Sequence, residues 1–438
     1  MSGASDKARF YLEQYVPELQ EYERKQIFTR QEITAITAKR SDFEHTINAR
    51  GSRPGDYARY ATYEMNLDAL RKKRCKRLGV KGPTHFGGQR TVFFILDRAT
   101  KKFPGDMGLW MQYIHFCQTE KAGKKLGKVL TSVLRLKPRE HGLWILAAKW
   151  YAEQQGDMST ARSYMQRGLR FCQDQRNLWL EYAKLEMVYL AKLAARRRIL
   201  GLDEDRTAAE VEAQEDENMM MLPTVTAEDF EPDAGRGIEE VDQKALERLA
   251  SAPAYTGAIP VAIFDAAMKE FKDDAGVAAD FYELIAEFDL VPSTPRILQH
   301  ILECLRANAA GSPELTICEA RQELFGLQAT SAEFPLALGK GLARVKAGLA
   351  TMSEKQQVLL AEKAVLMLMP YLEQQEELDQ DVATVISASV GRYLRVVRAD
   401  PHQARNKEVK RLAEAVKAEG KVDGVALLQS WKEQQTQG

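Results

Sequence analysis

Apolar residues in the first two hundred positions return every three or four places, the spacing of one face of a helix, and no alternating stretch is long enough to predict a sheet. Three segments open on a tryptophan: Trp110 with Tyr113, Phe116 and Cys117; Trp144 with Ala147, Ala148 and Tyr151; Trp179 with Tyr182, Leu185 and Glu186. A second amphipathic stretch follows, as in Leu126, Val129, Leu130, Val133 and Leu134, or Ala161, Tyr164, Met165, Gly168 and Leu169. The tryptophans stand 34 and 35 residues apart, and Pro104 and Pro138, each just before its tryptophan, also stand 34 apart. An earlier unit reads Tyr57, Tyr60 and Glu64 on its first helix and Phe94, Ile95, Arg98 and Ala99 on its second, with a Gly/Pro-rich insertion between. A two-helix unit recurring at this period predicts an all-α, helical-hairpin repeat solenoid. Its stacking core is expected to hold Tyr57, Tyr60, Trp110, Tyr113, Trp144, Tyr151, Trp179 and Tyr182.

Ahead of these units, Tyr11, Leu12, Tyr15, Val16 and Leu19 give one helical face, and Ile33, Ile36, Phe43 and Ile47 another. Thr29 and Glu32 have the spacing of a capping box at the start of the second. The pattern breaks at 201–255, where acids crowd around Pro223 and Pro232, and this composition predicts a flexible acidic linker or insertion. Within it Met219 to Leu222 reads either as a short apolar anchor or as a greasy spot in a loop. Helical patterns resume with Ile263, Phe264 and Met268, then Phe281, Tyr282, Ile285 and Phe288, then Ile297, Leu298, Ile301 and Leu305, with further helices over 354–371 and 381–397. The expected organisation is an N-terminal module at 1–80, a repeat array at 56–200, the acidic linker at 201–255 and a second helical array at 256–438.

Charge adds a polarity that the net value of zero conceals. Residues 1–200 hold 38 Lys/Arg against 20 Asp/Glu, a balance of +18; 201–250 hold 4 against 16, or −12; 251–438 hold 20 against 26, or −6. A basic half suits phosphate or acidic partners, and solvated helix faces give the same count. The sharpest concentration is Arg71, Lys72, Lys73, Arg74, Cys75, Lys76 and Arg77, six cations in seven positions. RNA phosphate, an acidic tail of a partner, the chain's own acidic linker or nuclear import all fit it, as does a solvated face beside its own acids. Arg196, Arg197 and Arg198 form a second cluster, suited to a helix C-terminus.

The scan for chemistry predicts no catalytic residue, metal or cofactor, and no small-molecule substrate. The five cysteines are scattered without a C-x-x-C pair, which fits a reducing compartment. The six histidines show no ligand spacing. Gly123 to Val129 is one residue short of a phosphate loop and has Val129 where a magnesium-binding hydroxyl is needed. The start of the chain lacks an apolar signal core, and no run approaches a membrane span, so a soluble intracellular protein is expected.

Two resemblances sharpen this reading. An aromatic residue, a Tyr three later and a Glu four beyond that, followed by Ala-Arg and a later Arg on the second helix, resembles the half-a-tetratricopeptide (HAT) repeat. Trp179, Tyr182 and Glu186 with Ala161, Arg162 and Arg167 match best, while Cys117 and Tyr151 replace the Glu and Ala147 the Tyr. The runs IFTRQEITAITAKRSDFEHTINARG from Ile27 and DYARYATYEMNLDALRKKRCKRLG from Asp56 resemble the N-terminal signature of the U3 small nucleolar RNA-associated protein 6 family. That resemblance implies a nucleolar, non-catalytic HAT-repeat subunit of the UTP-B module of the small-subunit processome. It would act in early ribosome assembly beside WD-repeat propeller subunits, on or near the precursor of the small-subunit ribosomal RNA and the U3 RNA. An RNA-binding solenoid that grips precursor RNA directly through its basic half is the alternative.

Overall fold

The computed structural model describes residues 4–80, 87–199, 257–373, 378–400 and 402–415. The expectations for the acidic stretch 201–255 and for Met219 to Leu222 lie outside the described residues. Two compact units divide at Ala147 and Ala148. All regular structure among the described residues is helical, so the all-α reading holds.

The first unit contains α1 (Ala4–Glu13), α2 (Val16–Arg24), α3 (Arg30–Asn48), α4 (Pro54–Leu78), α5 (Gly88–Lys102), α6 (Met107–Thr119) and α7 (Gly123–Leu136). Helix α8 (His141–Trp150) spans the division and runs into a single π-helical turn, Tyr151–Gln155. In the first unit α3 receives α1 and α2 and passes to α4, and α4 packs on both α5 and α6. Such next-neighbour and next-but-one contacts are how a hairpin that cannot bury its faces alone finds partners in a repeat stack.

The second unit continues with α9 (Met158–Phe171), α10 (Arg176–Ile199), α11 (Ala258–Glu270), α12 (Ala275–Ala286), α13 (Thr294–Asn308), α14 (Pro313–Leu324), α15 (Phe334–Thr351), α16 (Glu354–Glu373), α17 (Gln380–Ala399) and α18 (Lys407–Ala415). Helices α10, α12, α14, α16 and α18 touch one after another, and the alternate helices fill the places between them. The composition suggested a separation at 201–255. Helix α10, just before that stretch, packs directly on α11 and α12, just after it. The stretch thus joins two helices of one hairpin, and helical stacking continues across it.

The period near 34 has a local cause in the turns. Phe103, Lys137 and Cys172 end their helices in nearly the same conformation, at φ −124°, −130° and −134° with ψ 67°, 65° and 51°. Seven residues later in each case comes the tryptophan, whose indole N–H donates back into the turn. Trp110 reaches the Pro104 carbonyl at 2.9 Å, Trp144 the Pro138 carbonyl at 2.8 Å and Trp179 the Gln173 carbonyl at 2.9 Å. A turn carbonyl that helix geometry leaves without a partner is thereby satisfied by the same side chain that fills the core. Asp106 and Asp157 cap the following helices by accepting from the Leu109 and Thr160 amides. Thr29 and Glu32 form the expected capping box on α3.

Seven of the eight residues assigned to the stacking core are buried: Tyr57, Tyr60, Trp110, Tyr113, Trp144, Trp179 and Tyr182. Tyr151 is half-buried, because it opens the π-helical turn and stacks on Tyr164 at 5.2 Å. Replacing Trp144, 5% exposed, by alanine removes both the core volume and the bond to Pro138. The expected loss in chemical denaturation is about 3–5 kcal/mol; a loss under about 1 kcal/mol would contradict its place in the core.

Candidate interaction surface and its supporting network

The apolar seam of α3 carries two charged residues that the periodicity passes over. Arg40 and Glu44 stand between Ile36 and Ile47, and all four are buried. Arg40, 1% exposed, meets Glu64 of α4 through two parallel bonds, Nε to Oε1 and Nη2 to Oε2, both 2.8 Å. Its other face lies 3.5 Å from the Glu18 carboxylate of α2, and its guanidinium sits 4.4 Å above the Tyr15 ring. The Tyr22 hydroxyl donates to Glu18. Glu44 in turn accepts from Arg98 of α5 at 2.9 Å, and Arg98 lies 4.0 Å over Tyr11 of α1.

Burial dominates the electrostatics. It raises the Glu18 carboxyl above its ordinary range, against the opposing pull of Arg40 and the Tyr22 bond. It pushes the Tyr15 hydroxyl to about 12. Burial alone would depress Arg40, and the Glu64 and Glu18 carboxylates outweigh it, so the guanidinium is held firmly in its charged form. A fully desolvated charge of this kind is tolerable only while its partners stay in place.

The same device recurs. Arg162 of α9 meets Glu186 of α10 through the same two atom pairs, both at 2.7 Å, and each arginine precedes its glutamate by 24 residues. Where the glutamate is missing, its arginine is missing too: Phe93 stands 24 residues before Cys117, and Gly127 stands 24 before Tyr151. In the first of these places aromatic packing takes over, with Phe93 4.9 Å from Phe116. The two places that lack the Glu therefore change in pairs with their Arg, while Ala147 is a separate change. The spacing of Arg40 on the seam Ile33, Ile36, Phe43 and Ile47 was the signal that it points inward.

The basic run, expected as an exposed cluster, is divided by the helix period, and this corrects the surface reading for Arg71. Arg71 is buried and pairs with Asp68 at 2.6 Å. Lys72 reaches Asp68 at 2.8 Å and Glu120 at 3.3 Å. Arg74 grips both oxygens of Glu32 at 2.7 and 2.8 Å, donates to the Ile27 carbonyl and lies over Phe28. These three are matched by the chain's own acids. Lys73, Lys76 and Arg77 are exposed, with no acid partner among the described residues. Together with Asn66, Ala69 and Leu70 they recur every three or four positions, and Leu70 is 41% exposed. One solvent face of α4 therefore presents three free cations beside an apolar spot. At the end of α10, Arg196 and Arg198 are exposed.

Gly123 to Val129 forms the first turns of α7, and the Cys117 thiol is pushed by burial to about 12. His300 pairs with Asp265 at 2.7 Å. Among the described residues no cluster of three His, Cys, Asp or Glu could hold a metal, and no helix is long and apolar enough to cross a membrane.

Hairpins stacked through tryptophan-anchored turns and Arg–Glu pairs define the class: an all-α helical repeat protein. Its family resemblance holds, for residues 12–92 match the family model described as U3 small nucleolar RNA-associated protein 6. Similar relatives carry the same name: the protein of Schizosaccharomyces pombe is 39% identical over 199 residues, 45% of this chain and 41% of its own length. The Homo sapiens homolog is 34% identical over 185 residues, 42% of this chain and 31% of its own, and that of Dictyostelium discoideum 29% identical over 189 residues, 43% and 31%. The matched part thus spans less than half the length of these relatives. The names place those relatives with the U3 small nucleolar RNA.

Replacing Arg40 by leucine leaves Glu18 and Glu64 buried without their partner, and urea unfolding should register a loss of about 3–5 kcal/mol. The double variant Arg40→Leu/Glu64→Leu should recover most of it, since both charges of the pair then leave the interior together. A single variant no less stable than the parent would mean that the pair is solvated.

The Glu32 carboxyl is held at about 2 by its bonds to Arg74 and to the Thr29 amide, below the ordinary 4.5. A depressed carboxylate contributes stability above its unfolded value and loses it as pH falls toward the folded one. The stability difference between the parent and Glu32→Gln should therefore shrink between pH 4.5 and about 2. A constant difference across that window would sink this account.

Proposed function

We propose that this chain is a non-catalytic scaffold subunit of the small-subunit processome, working in pre-18S ribosomal RNA processing through protein–protein contacts. The match of residues 12–92 to the family model carries this reading. Its setting is the nucleolus, and its partners are subunits of the UTP-B module, WD-repeat propellers among them, close to precursor RNA and U3 RNA. The hairpins are of the HAT type, a reading supported by Tyr60 with Glu64 and by Tyr182 with Glu186, each glutamate held by an arginine of the preceding helix. The face of α4 bearing Leu70, Lys73, Lys76 and Arg77 suits a contact that joins a small apolar anchor to an acidic rim.

The alternative is direct grip on RNA phosphate by the basic first half, whose balance of +18 favours it. The two differ in salt response, because neutralised phosphates release counterions and make affinity fall steeply with salt.

Deleting residues 1–80 would remove the whole of α4, on which α5 and α6 pack, so charge reversal is the cleaner test. Lys73→Glu/Lys76→Glu/Arg77→Glu should leave helix content unchanged and reduce co-purification with WD-repeat subunits and U3 RNA, with unprocessed small-subunit precursor accumulating in cells. Retention that falls steeply between 50 and 200 mM salt would favour the RNA reading. Normal co-purification together with normal processing would remove this face from the function.

A further inference from the structure

A cleft of about 800 Å³ opens in the second unit between the end of α8, the π-helical turn and α10. Its floor is apolar, with Met158, Val188 and Leu193 partly exposed in it. Its rim is basic. Lys184, Lys192 and Arg196 stand in one line along α10, eight and four residues apart, with Val188 midway between the first two. Among the described residues these three cations have no carboxylate partner, whereas the fourth, Lys149, is neutralised by Glu181 at 2.7 Å. Glu153 is the one other acid in the lining.

We propose that this cleft receives the chain's own acidic segment, with Met219 to Leu222 seated on the apolar floor and the neighbouring acids on the cationic rim. The segment leaves α10, the helix that forms the cleft wall, directly after Ile199. Residues 201–250 carry 16 acids against 4 Lys/Arg. Four apolar side chains stand in a row, with Glu215, Asp216 and Glu217 before them and Glu228 and Asp229 after. An apolar centre between acidic flanks complements an apolar floor beside a basic rim. Methionine suits such a floor, being unbranched and adaptable. Reach is ample: twenty residues beyond Ile199 span up to roughly 65 Å when extended, and the cleft runs along only about 22 Å of α10. Tethering also gives the segment an effective concentration on the order of millimolar, which no separate acidic peptide matches without high affinity.

Photo-crosslinking in the full chain tests this, with a benzophenone amino acid in place of Met220 and adducts mapped by mass spectrometry. The expected adducts join residue 220 to the 184–196 stretch or to Met158 of the same molecule, at a yield independent of protein concentration. Lys184→Glu/Lys192→Glu/Arg196→Glu should lower that yield about fivefold or more, as expected for reversing a few exposed charge pairs. If that variant loses helicity, replacing Met219 to Leu222 by serine in the otherwise native chain should speed proteolysis within 201–255 about fivefold. Adducts confined to other surfaces, adducts between two copies, an absence of adducts, or cleavage unchanged by the serine replacements would each overturn the proposal.

Discussion

A helical hairpin with two apolar faces can bury only one of them against itself, so it must be stacked, and stacking poses a problem of register. Smooth aliphatic faces can slide past one another at small cost, whereas a buried arginine must meet its glutamate or remain desolvated and unpaired, at about 3–5 kcal/mol. Arg40 with Glu64 sets this condition in full, and Arg162 with Glu186, whose arginine is 26% exposed, sets a milder form of it through the same pair of bonds. The tryptophan of each turn adds a second condition, since its N–H must find a carbonyl six residues back while its ring fills the core. Together the two fix both the length of a unit and the seating of one helix on its predecessor.

The helices and their period were legible because they rest on residue types that announce themselves: three tryptophans, two prolines and apolar residues at helical spacing. The fates of individual charges were not. A cation on a helix belongs to the inside or the outside according to its phase, and a run of six hides that phase unless it is laid on the helix with the neighbouring acids. Asp68 and Glu32, three residues before Arg71 and far before Arg74 in sequence, decide which of the six are used internally. Glu32 is distant along the chain, so no local pattern points to Arg74 as its partner. Arg40 was more accessible, because it falls on the apolar seam of its own helix. The acidic stretch shows the opposite case, in which composition announced a break while the flanking helices α10 and α11 stay packed.

The N-terminal module is where these constraints are densest. Here α1, α2 and α3 gather on the first stacked hairpin through Glu18, Arg40, Glu44 and Arg98, with Tyr11 and Tyr15 laid on the guanidinium groups. Charged residues thus join these helices, and of them Arg40 lies on an apolar seam named from the sequence. The family match covers 12–92, which contains Tyr15, Glu18, Arg40, Glu44 and Glu64.

That overlap bears on what the surface of the module can do. Glu18, Arg40 and Glu64 consume one another's charge inside, and Asp68 and Glu32 consume Arg71 and Arg74, so the cations left on the solvent face of α4 stand on a helix whose other side is already paired. Docking on this face would have to order mainly its own lysines, and the less freedom a patch loses on binding, the more of its contact energy remains as affinity. The interior network and the exterior patch are thus two consequences of one helix, α4, whose inward phase carries Glu64, Asp68 and Arg71 and whose outward phase carries Leu70, Lys73, Lys76 and Arg77.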